Sequence, residues 1–195
     1  SRSTPGIRAS ATAWPPDTVA ENPSTIGRRR RTRKSPTARF EAATRQLLDR
    51  SEAAMRAVIG RIPDGSYEFE DHVDDDGISD TPIRIHARLT VEGDELTVDL
   101  SGCSPQVMGP SNATLSSTCS TVFYALIASA DVPIAANAGC YRPVRIVAPP
   151  GLCVSAAVPA PVVHRIAIGH GLATVLFGAL HQAVPARAPA AHYAV

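Results

Sequence analysis

Five aspartates and one glutamate surround a histidine and a glycine in the stretch FEDHVDDDGISD, residues 69–80. Carboxylate oxygens are the ligands that Ca²⁺ and Mg²⁺ prefer, so Asp74, Asp76 and Asp80 are candidates for a divalent-cation site. An EF-hand register fixed on Gly77 fails at the first and the last ligand position, which excludes that motif. Aspartate and glycine are also the residues that turn geometry favours. A polar turn between two strands is therefore the favoured interpretation, with a looser cation site as the alternative.

Two further stretches carry residues that can do chemistry. Residues 102–117, GCSPQVMGPSNATLSS, have the composition of a loop that lets the backbone approach a ligand, but they lack the Gly-Lys-Ser/Thr of a Walker A loop. Asn112 in this loop is the predicted N-cap of the following helix. In residues 137–144, NAGCYRPV, the guanidinium of Arg142 would help Cys140 to form a thiolate. A packed cysteine is the more common role of such a residue.

The charge is divided between two unlike segments of the 195-residue chain. Residues 1–36 hold eight Arg and Lys against Asp17 and Glu21, a net +6, which leaves −5 for the rest of a chain whose total is +1. This first segment is rich in Ser, Thr, Pro and Arg and has no apolar period, so it is predicted to be a disordered basic tail. Its run GRRRRTRK, residues 27–34, suits phosphate contacts with nucleic acid, but a solvated tail is favoured because short basic runs are nonspecific.

Cysteine spacing and hydropathy exclude several other classes. Cys103, Cys119, Cys140 and Cys153 form no CxxC or Cys/His pair of the kind that zinc sites use, and nothing resembles a secretory signal peptide. We therefore predict reduced thiols and a cytoplasmic location. No apolar run reaches the ~20 residues that a membrane-spanning helix needs. His170 and three glycines interrupt the last apolar stretch, so no membrane partner is expected.

The first ordered element is predicted to be a long amphipathic helix. It begins near Thr37 and ends at Gly60 and Pro63. Its apolar residues recur at helical spacing. They are Phe40, Leu47, Leu48, Met55, Val58 and Ile59.

Three segments of alternating polarity follow the helix, at residues 66–71, 81–91 and 95–102. Alternation of this kind predicts strands with one buried face. The link between the last two segments is a hairpin turn, in which Gly93 and Asp94 supply the positive φ. The three segments predict an antiparallel β-meander.

Two more helices with a short strand between them complete the predicted order. The second helix is entered through Asn112 and ended by Pro133, and the strand lies in residues 142–149. The last helix is predicted in residues 162–185, with its more regular part from about Gly171 to Val184. The fold class is therefore α+β: an antiparallel β-meander with flanking helices, in one body that spans residues 37–195.

Four strings in a fixed order together resemble one family. They are IPDGSYEFEDHVDDDGISDTPIRIHARLTVEGDELTVDLSGCSPQVMGPSNATLSST, NAGCYRPVRIVAPPG, PAPVVHR and VLFGALHQAVP. Their order and spacing resemble the central to C-terminal part of the hydantoinase B/oxoprolinase family over about residues 37–195. This combination is far more specific than any single motif above.

The resemblance implies an ATP-dependent hydrolase that opens a cyclic amide, 5-oxoproline or a hydantoin. In such systems ATP is held by an A-type subunit, which phosphorylates the substrate oxygen, and the B-type part completes the ring opening. Converting the amide oxygen into a phosphate leaving group lowers the barrier to attack by water. No cofactor is expected on this chain itself, whereas ATP and a divalent metal ion belong to the full system.

This sequence also departs from the family pattern. The Asn-Asp-Pro and Gly-Gly-Thr-His type strings of the family's N-terminal portion and its distal glycine-rich segments are not found, so no family metal ligand is carried over. We expect a fragment of the B-type subunit that is inactive alone, or a noncatalytic module that docks onto the A-type partner. Asn112, Asn137 and Arg142 match family positions and are substrate or motif candidates without an assigned role. Exposed apolar surface is expected to favour self-association into a homo-oligomer.

Overall fold

The computed structural model describes residues 35–186, and the structural statements below refer to that part of the chain. The predicted basic tail lies outside the described residues, apart from Ser35 and Pro36. The elements in chain order are α1 (Pro36–Ile59), β1 (Gly65–Val73), β2 (Ile83–Glu92), β3 (Glu95–Asp99), α2 (Leu115–Ala128), β4 (Val144–Val147) and α3 (Arg165–Ala183). The α+β class predicted from the sequence is confirmed.

The four strands form one sheet in the order β1-β2-β3-β4. β1 with β2 and β2 with β3 are antiparallel, and Gly93 adopts a φ of +62° in the tight turn between β2 and β3. The predicted hairpin is therefore confirmed. β4 instead joins β3 in parallel, so the sheet is not strictly a meander. A parallel neighbour needs a long crossover connection, and α2 lies in that crossover.

The core lies between one face of the sheet and the helices. Along β2, buried and more exposed residues alternate through all ten positions, because successive side chains point to opposite faces of the sheet. The buried positions are Ile83, Ile85, Ala87, Leu89 and Val91. α3 packs across β1 and β2, and α2 packs against α3. Phe123 on α2 stacks on Tyr141 with the ring centroids 3.8 Å apart.

Helix α3 lies within the predicted helical segment, residues 162–185, and begins six residues before Gly171, where its regular part was expected to start. The glycines that appeared to interrupt it lie where the helix approaches the sheet: a methyl group at Gly171 or Gly178 would come within 2.6 Å of Ile85 or Phe69. At 19 residues α3 is, within the described part of the chain, the one helix long and apolar enough to span a membrane by length and composition. Eight of its residues are buried in the fold, as in the core helix of a globular body.

Helix α1 is only half covered by the rest of the described chain. Met55 and Ile59 in its second half are fully buried, as the apolar spacing predicts. Phe40 and Leu47 in its first half are 73% and 54% exposed, so the apolar spacing does not lead to burial there. Of residues 36–47, all but Ala38 are exposed.

Candidate functional site

The acidic turn is organised by hydrogen bonds to the backbone. Asp76 is 4% exposed, and its Oδ1 accepts from the N–H groups of Ile78 at 2.9 Å and Ser79 at 2.6 Å. Its Oδ2 accepts from the N–H of Gly109 at 2.9 Å. These bonds lower the pKa of the Asp76 carboxyl because they stabilise the charged form, and the bond from Ser79 has the largest effect. Asp76 thus closes its own turn and holds the loop after β3 against it.

The three predicted cation ligands differ in their surroundings. Asp74 and Asp80 are exposed, whereas the Asp76 carboxylate is directed at backbone N–H groups. Within residues 35–186, no three His, Cys, Asp or Glu side chains are grouped so that they can hold a metal ion. The cation-site hypothesis for Asp74, Asp76 and Asp80 therefore stays a prediction that rests on the sequence alone.

Asn112 is not the N-cap of α2, and that prediction is wrong. The N-cap is Thr114, whose Oγ1 accepts from the Ser117 N–H. Asn112 is fully buried two residues earlier, where its Oδ1 accepts from the Val107 N–H at 2.8 Å. Its Nδ2 donates to three carbonyl oxygens at 2.9–3.0 Å. These belong to Val107, Gly109 and Pro161.

Gly109 joins Asp76 and Asn112 into one structural unit. Its N–H donates to Asp76, and its carbonyl accepts from Asn112. A methyl group on Gly109 would lie 1.9 Å from the Asp76 carbonyl oxygen, so the two loops meet too closely for any side chain. Because Asn112 also holds Pro161, the loops that follow β1, β3 and β4 are tied together at one end of the fold.

Asn137 and Arg142 lie elsewhere, in the loop that contacts α1. Asn137 Nδ2 donates to Ser51 Oγ at 2.7 Å, and its Oδ1 accepts from the Gly139 N–H at 2.9 Å. Arg142 Nη1 donates to Asp49 Oδ1 at 3.1 Å and to Glu52 Oε2 at 2.8 Å. The Arg142 bond is the largest cause of the lowered pKa of Glu52. Both motif residues therefore attach this loop to the second half of α1.

Gly139 allows that attachment because the two backbones touch. A methyl group at this position would lie 2.0 Å from the carbonyl oxygen of Leu48 on α1. Cys140 beside it is fully buried, and its thiol donates to the Asn137 carbonyl at 3.1 Å. The thiol is thus packed, and Arg142 is directed at the carboxylates of α1.

The outer face of the sheet carries ion pairs that the sequence pattern did not single out. Glu70 pairs with Arg84, and Glu68 pairs with Arg88 at 2.6 Å across the β1–β2 ladder. Glu68 Oε2 also lies within hydrogen-bonding distance of His86 Nε2, at 3.2 Å. The Arg88 bond is the largest cause of the lowered pKa of Glu68. Glu68 lies directly opposite Arg88 in the register, whereas Glu68 reaches His86 and Glu70 reaches Arg84 along the diagonal. These pairs join the edge strand to its neighbour on a half-exposed surface.

A cleft of about 360 Å³ lies between α2 and α3 and was not predicted from the sequence. On α2 it is lined by hydroxyl residues at helical spacing, and on α3 by an arginine, a histidine, an isoleucine and two small residues. The α2 residues are Ser117, Ser120, Thr121 and Tyr124. The α3 residues are Arg165, Ile166, Gly169, His170 and Ala173. The helical spacing of the α2 hydroxyl residues is visible in the sequence. The α3 residues that face them begin more than 40 residues later, so the sequence does not show that the two sets form one cleft.

The fold and these contacts define an α+β body whose loops are fixed by buried side-chain to backbone bonds. The sequence profile of the hydantoinase B/oxoprolinase family matches residues 29–195. The chain belongs to this family, which confirms the resemblance seen in the sequence.

The similarity extends to proteins with named activities. The B-type component of a putative D-/L-hydantoinase from Pseudomonas sp. (strain NS671) is 37% identical over 156 residues, which is 74% of this chain and 26% of the relative. The beta component of the caprolactamase of Pseudomonas jessenii is 33% identical over 151 residues, 76% of this chain and 26% of the relative. The crystal structure of the ATP-dependent caprolactamase from Pseudomonas jessenii matches with a TM-score of 0.71 and 30% identity, over 78% of this chain and 27% of that chain. The chain thus spans about a quarter of the length of these relatives.

Proposed function

We propose that this chain is part of the B-type subunit of an ATP-dependent cyclic-amide hydrolase that opens a lactam or hydantoin ring. The observation that carries the proposal is the structural match to an ATP-dependent caprolactamase, with a TM-score of 0.71 and 30% identity over 78% of this chain. The relatives are named as the B and beta components of a hydantoinase and a caprolactamase, which supports an ATP-binding A-type subunit as the partner.

The reaction needs activation because an amide carbon is a poor electrophile. In this proposal ATP supplies a phosphate leaving group on the amide oxygen, within the A-type partner. This chain's own residues then provide a rigid surface at which the substrate and the partner meet. The Asp76–Gly109–Asn112 unit fixes the loops at one end of the fold, so that their exposed residues are held in place before binding.

A second function, that of a noncatalytic assembly module, is favoured by one specific observation. Asn112 directs its side chain at backbone groups, Arg142 at two carboxylates of α1, and Asn137 at Ser51 and Gly139. Each of these motif side chains thus joins two segments of the chain to each other. In this alternative the chain positions the A-type partner, and the reacting groups are supplied by other parts of the assembly.

One experiment separates the two functions. The purified chain is mixed with its A-type subunit, and the release of amino acid from 5-oxoproline, hydantoin and caprolactam is measured together with ADP. Ring opening that requires the chain, the A-type subunit and ATP would support the hydrolase. Binding to the A-type subunit without turnover would support the assembly module. Ring opening by the chain alone, without ATP, would contradict both.

A further inference from the structure

The cleft between α2 and α3 has a defined chemical polarity. Arg165 is exposed at its rim, and in residues 35–186 its guanidinium makes no ion pair with a carboxylate. None of the side chains that line the cleft is acidic. Arg165 is also the first residue of α3, a helix with no acidic residue in its first turn and no side-chain hydrogen bond at its N-cap. This end of the cleft is therefore positive and suits a carboxylate.

The opposite wall of the cleft offers acceptors. Ser120 Oγ donates to the Ser116 carbonyl at 3.0 Å, and Thr121 Oγ1 donates to the Ser117 carbonyl at 3.1 Å. Each hydroxyl has a single proton, which these bonds use, so both oxygens keep lone pairs that can accept a further hydrogen bond. Oxygens in this state accept hydrogen bonds from an amine or an amide N–H.

The cleft is also lined by apolar surface. Ile166 and Tyr124 are 61% and 47% exposed, and Ala173 lies along the same wall. Gly169 lies opposite Thr121, and a methyl group there would be 3.5 Å from Thr121 Oγ1, an ordinary contact. A volume of about 360 Å³ is within the size range of small-molecule sites.

We propose that the α2–α3 cleft binds a small linear amino acid, with its carboxylate on Arg165 and its N–H group on the Ser120 and Thr121 oxygens. This inference rests on the proposed function for its choice of ligand. Opening a cyclic amide breaks the C–N bond, and water adds its O–H to the carbonyl carbon and its other hydrogen to the nitrogen. The product is a chain with a carboxylate at one end and an N–H donor at the other, which matches the polarity of the cleft.

The test is direct binding to the full chain, measured by calorimetry and by saturation-transfer NMR. The probes are glutamate, 6-aminohexanoate and N-carbamoylglycine, compared with hexanoate, hexylamine and inorganic phosphate. We expect at least one of the three amino-acid probes to bind with a Kd of about 1 mM or tighter, and to bind about tenfold more tightly than the probes that lack one of the two groups. Phosphate binding as tight as that of every amino acid, or no binding by any amino acid, would overturn the proposal.

Variants locate the site. Arg165→Gln is expected to weaken amino-acid binding about tenfold, and Thr121→Val about threefold. Arg145→Gln is the matched control, because Arg145 is also exposed but lies on β4, away from the cleft. Equal affinity in the wild type and in Arg165→Gln would refute the assignment, provided that thermal melts show both folded.

The outcome can be separated from that of the proposed function. Ring opening that needs the A-type subunit and ATP, with no effect of Arg165→Gln on amino-acid binding, would refute the cleft and leave the proposed function standing. Amino-acid binding that Arg165→Gln abolishes, in a chain that neither binds nor activates an A-type subunit, would support the cleft and contradict the proposed function.

Discussion

Removing the Asn112 side chain should destabilise the whole end of the fold that it holds. Its Oδ1 accepts from the Val107 N–H, and its Nδ2 donates to three carbonyls, one of them 49 residues away at Pro161. In Asn112→Ala the partly buried Val107 N–H loses its acceptor, and leaving a buried group unpaired costs about 1–3 kcal/mol. Adding the loss of the bonds to the carbonyls, we expect a decrease of about 3 kcal/mol in the free energy of unfolding. This corresponds to about 6–12 °C in Tm for a chain of this size.

Asn112→Asp is a sharper test, because it changes charge and donors without changing shape. The new carboxylate would face three carbonyl oxygens that now receive N–H donors, so at pH 7 it should destabilise more than Asn112→Ala. The same repulsion raises the pKa of the new carboxyl above the unfolded value of about 3.9. A raised pKa means that stability is retained below about pH 4 and lost as the pH rises through the folded value. The difference from wild type should therefore grow between pH 4 and pH 7.

Urea unfolding followed by circular dichroism measures both variants at pH 4 and pH 7. Met108→Ala is the matched control: Met108 lies in the same loop but is 83% exposed, so we expect a change within about 0.5 kcal/mol. A loss below about 1 kcal/mol in Asn112→Ala would refute the role assigned to the buried amide. So would an Asn112→Asp variant whose difference from wild type does not depend on pH.

Because the pKa of Asp76 is lowered in the fold, its carboxylate stabilises the protein above the unfolded pKa of about 3.9, and this stability is lost as the pH falls through the folded pKa. In Asp76→Asn the free energy of unfolding should therefore fall less steeply with decreasing pH than in the wild type. The same pH dependence in both proteins would contradict this. Ca²⁺ or Mn²⁺ that raised the Tm of wild type but not of Asp76→Asn would instead support the cation site. Gly139→Ala should cost about 1–3 kcal/mol because its methyl group meets the Leu48 carbonyl at 2.0 Å, whereas Gly169→Ala should be close to neutral; urea unfolding distinguishes them. Arg142→Gln should lower the Tm slightly at low salt and not at 1 M NaCl, since its ion pairs are partly exposed.

Local pattern was sufficient for much of the fold. The alternation of β2, the Gly93 hairpin and the buried second half of α1 follow from period and turn chemistry that a short window contains. The parallel pairing of β4 did not follow, because four residues cannot reveal which edge they join. The segment that forms α3 was predicted to be helical but regular only from Gly171, and its pattern did not show that Gly171 and Gly178 make room for the side chains of Ile85 and Phe69.

The site residues show the same limit. Asn112 precedes a helix at nearly the right spacing for a cap, and the sequence contains no sign that its amide reaches Pro161 instead. Asp76 was correctly placed in a turn, but its bond to the Gly109 N–H spans 33 residues. Long-range bonds of this kind depend on how the loops meet in three dimensions, and a single sequence does not specify that.

The most direct test of the central claim is whether this chain binds an A-type subunit. Sedimentation velocity of the chain with its own A-type subunit should show a complex that forms at micromolar concentration or below. Asn112→Ala should weaken that complex, because the loops that the amide holds would no longer be fixed. Two species that sediment independently at every concentration, with a wild-type chain shown to be folded, would contradict the account.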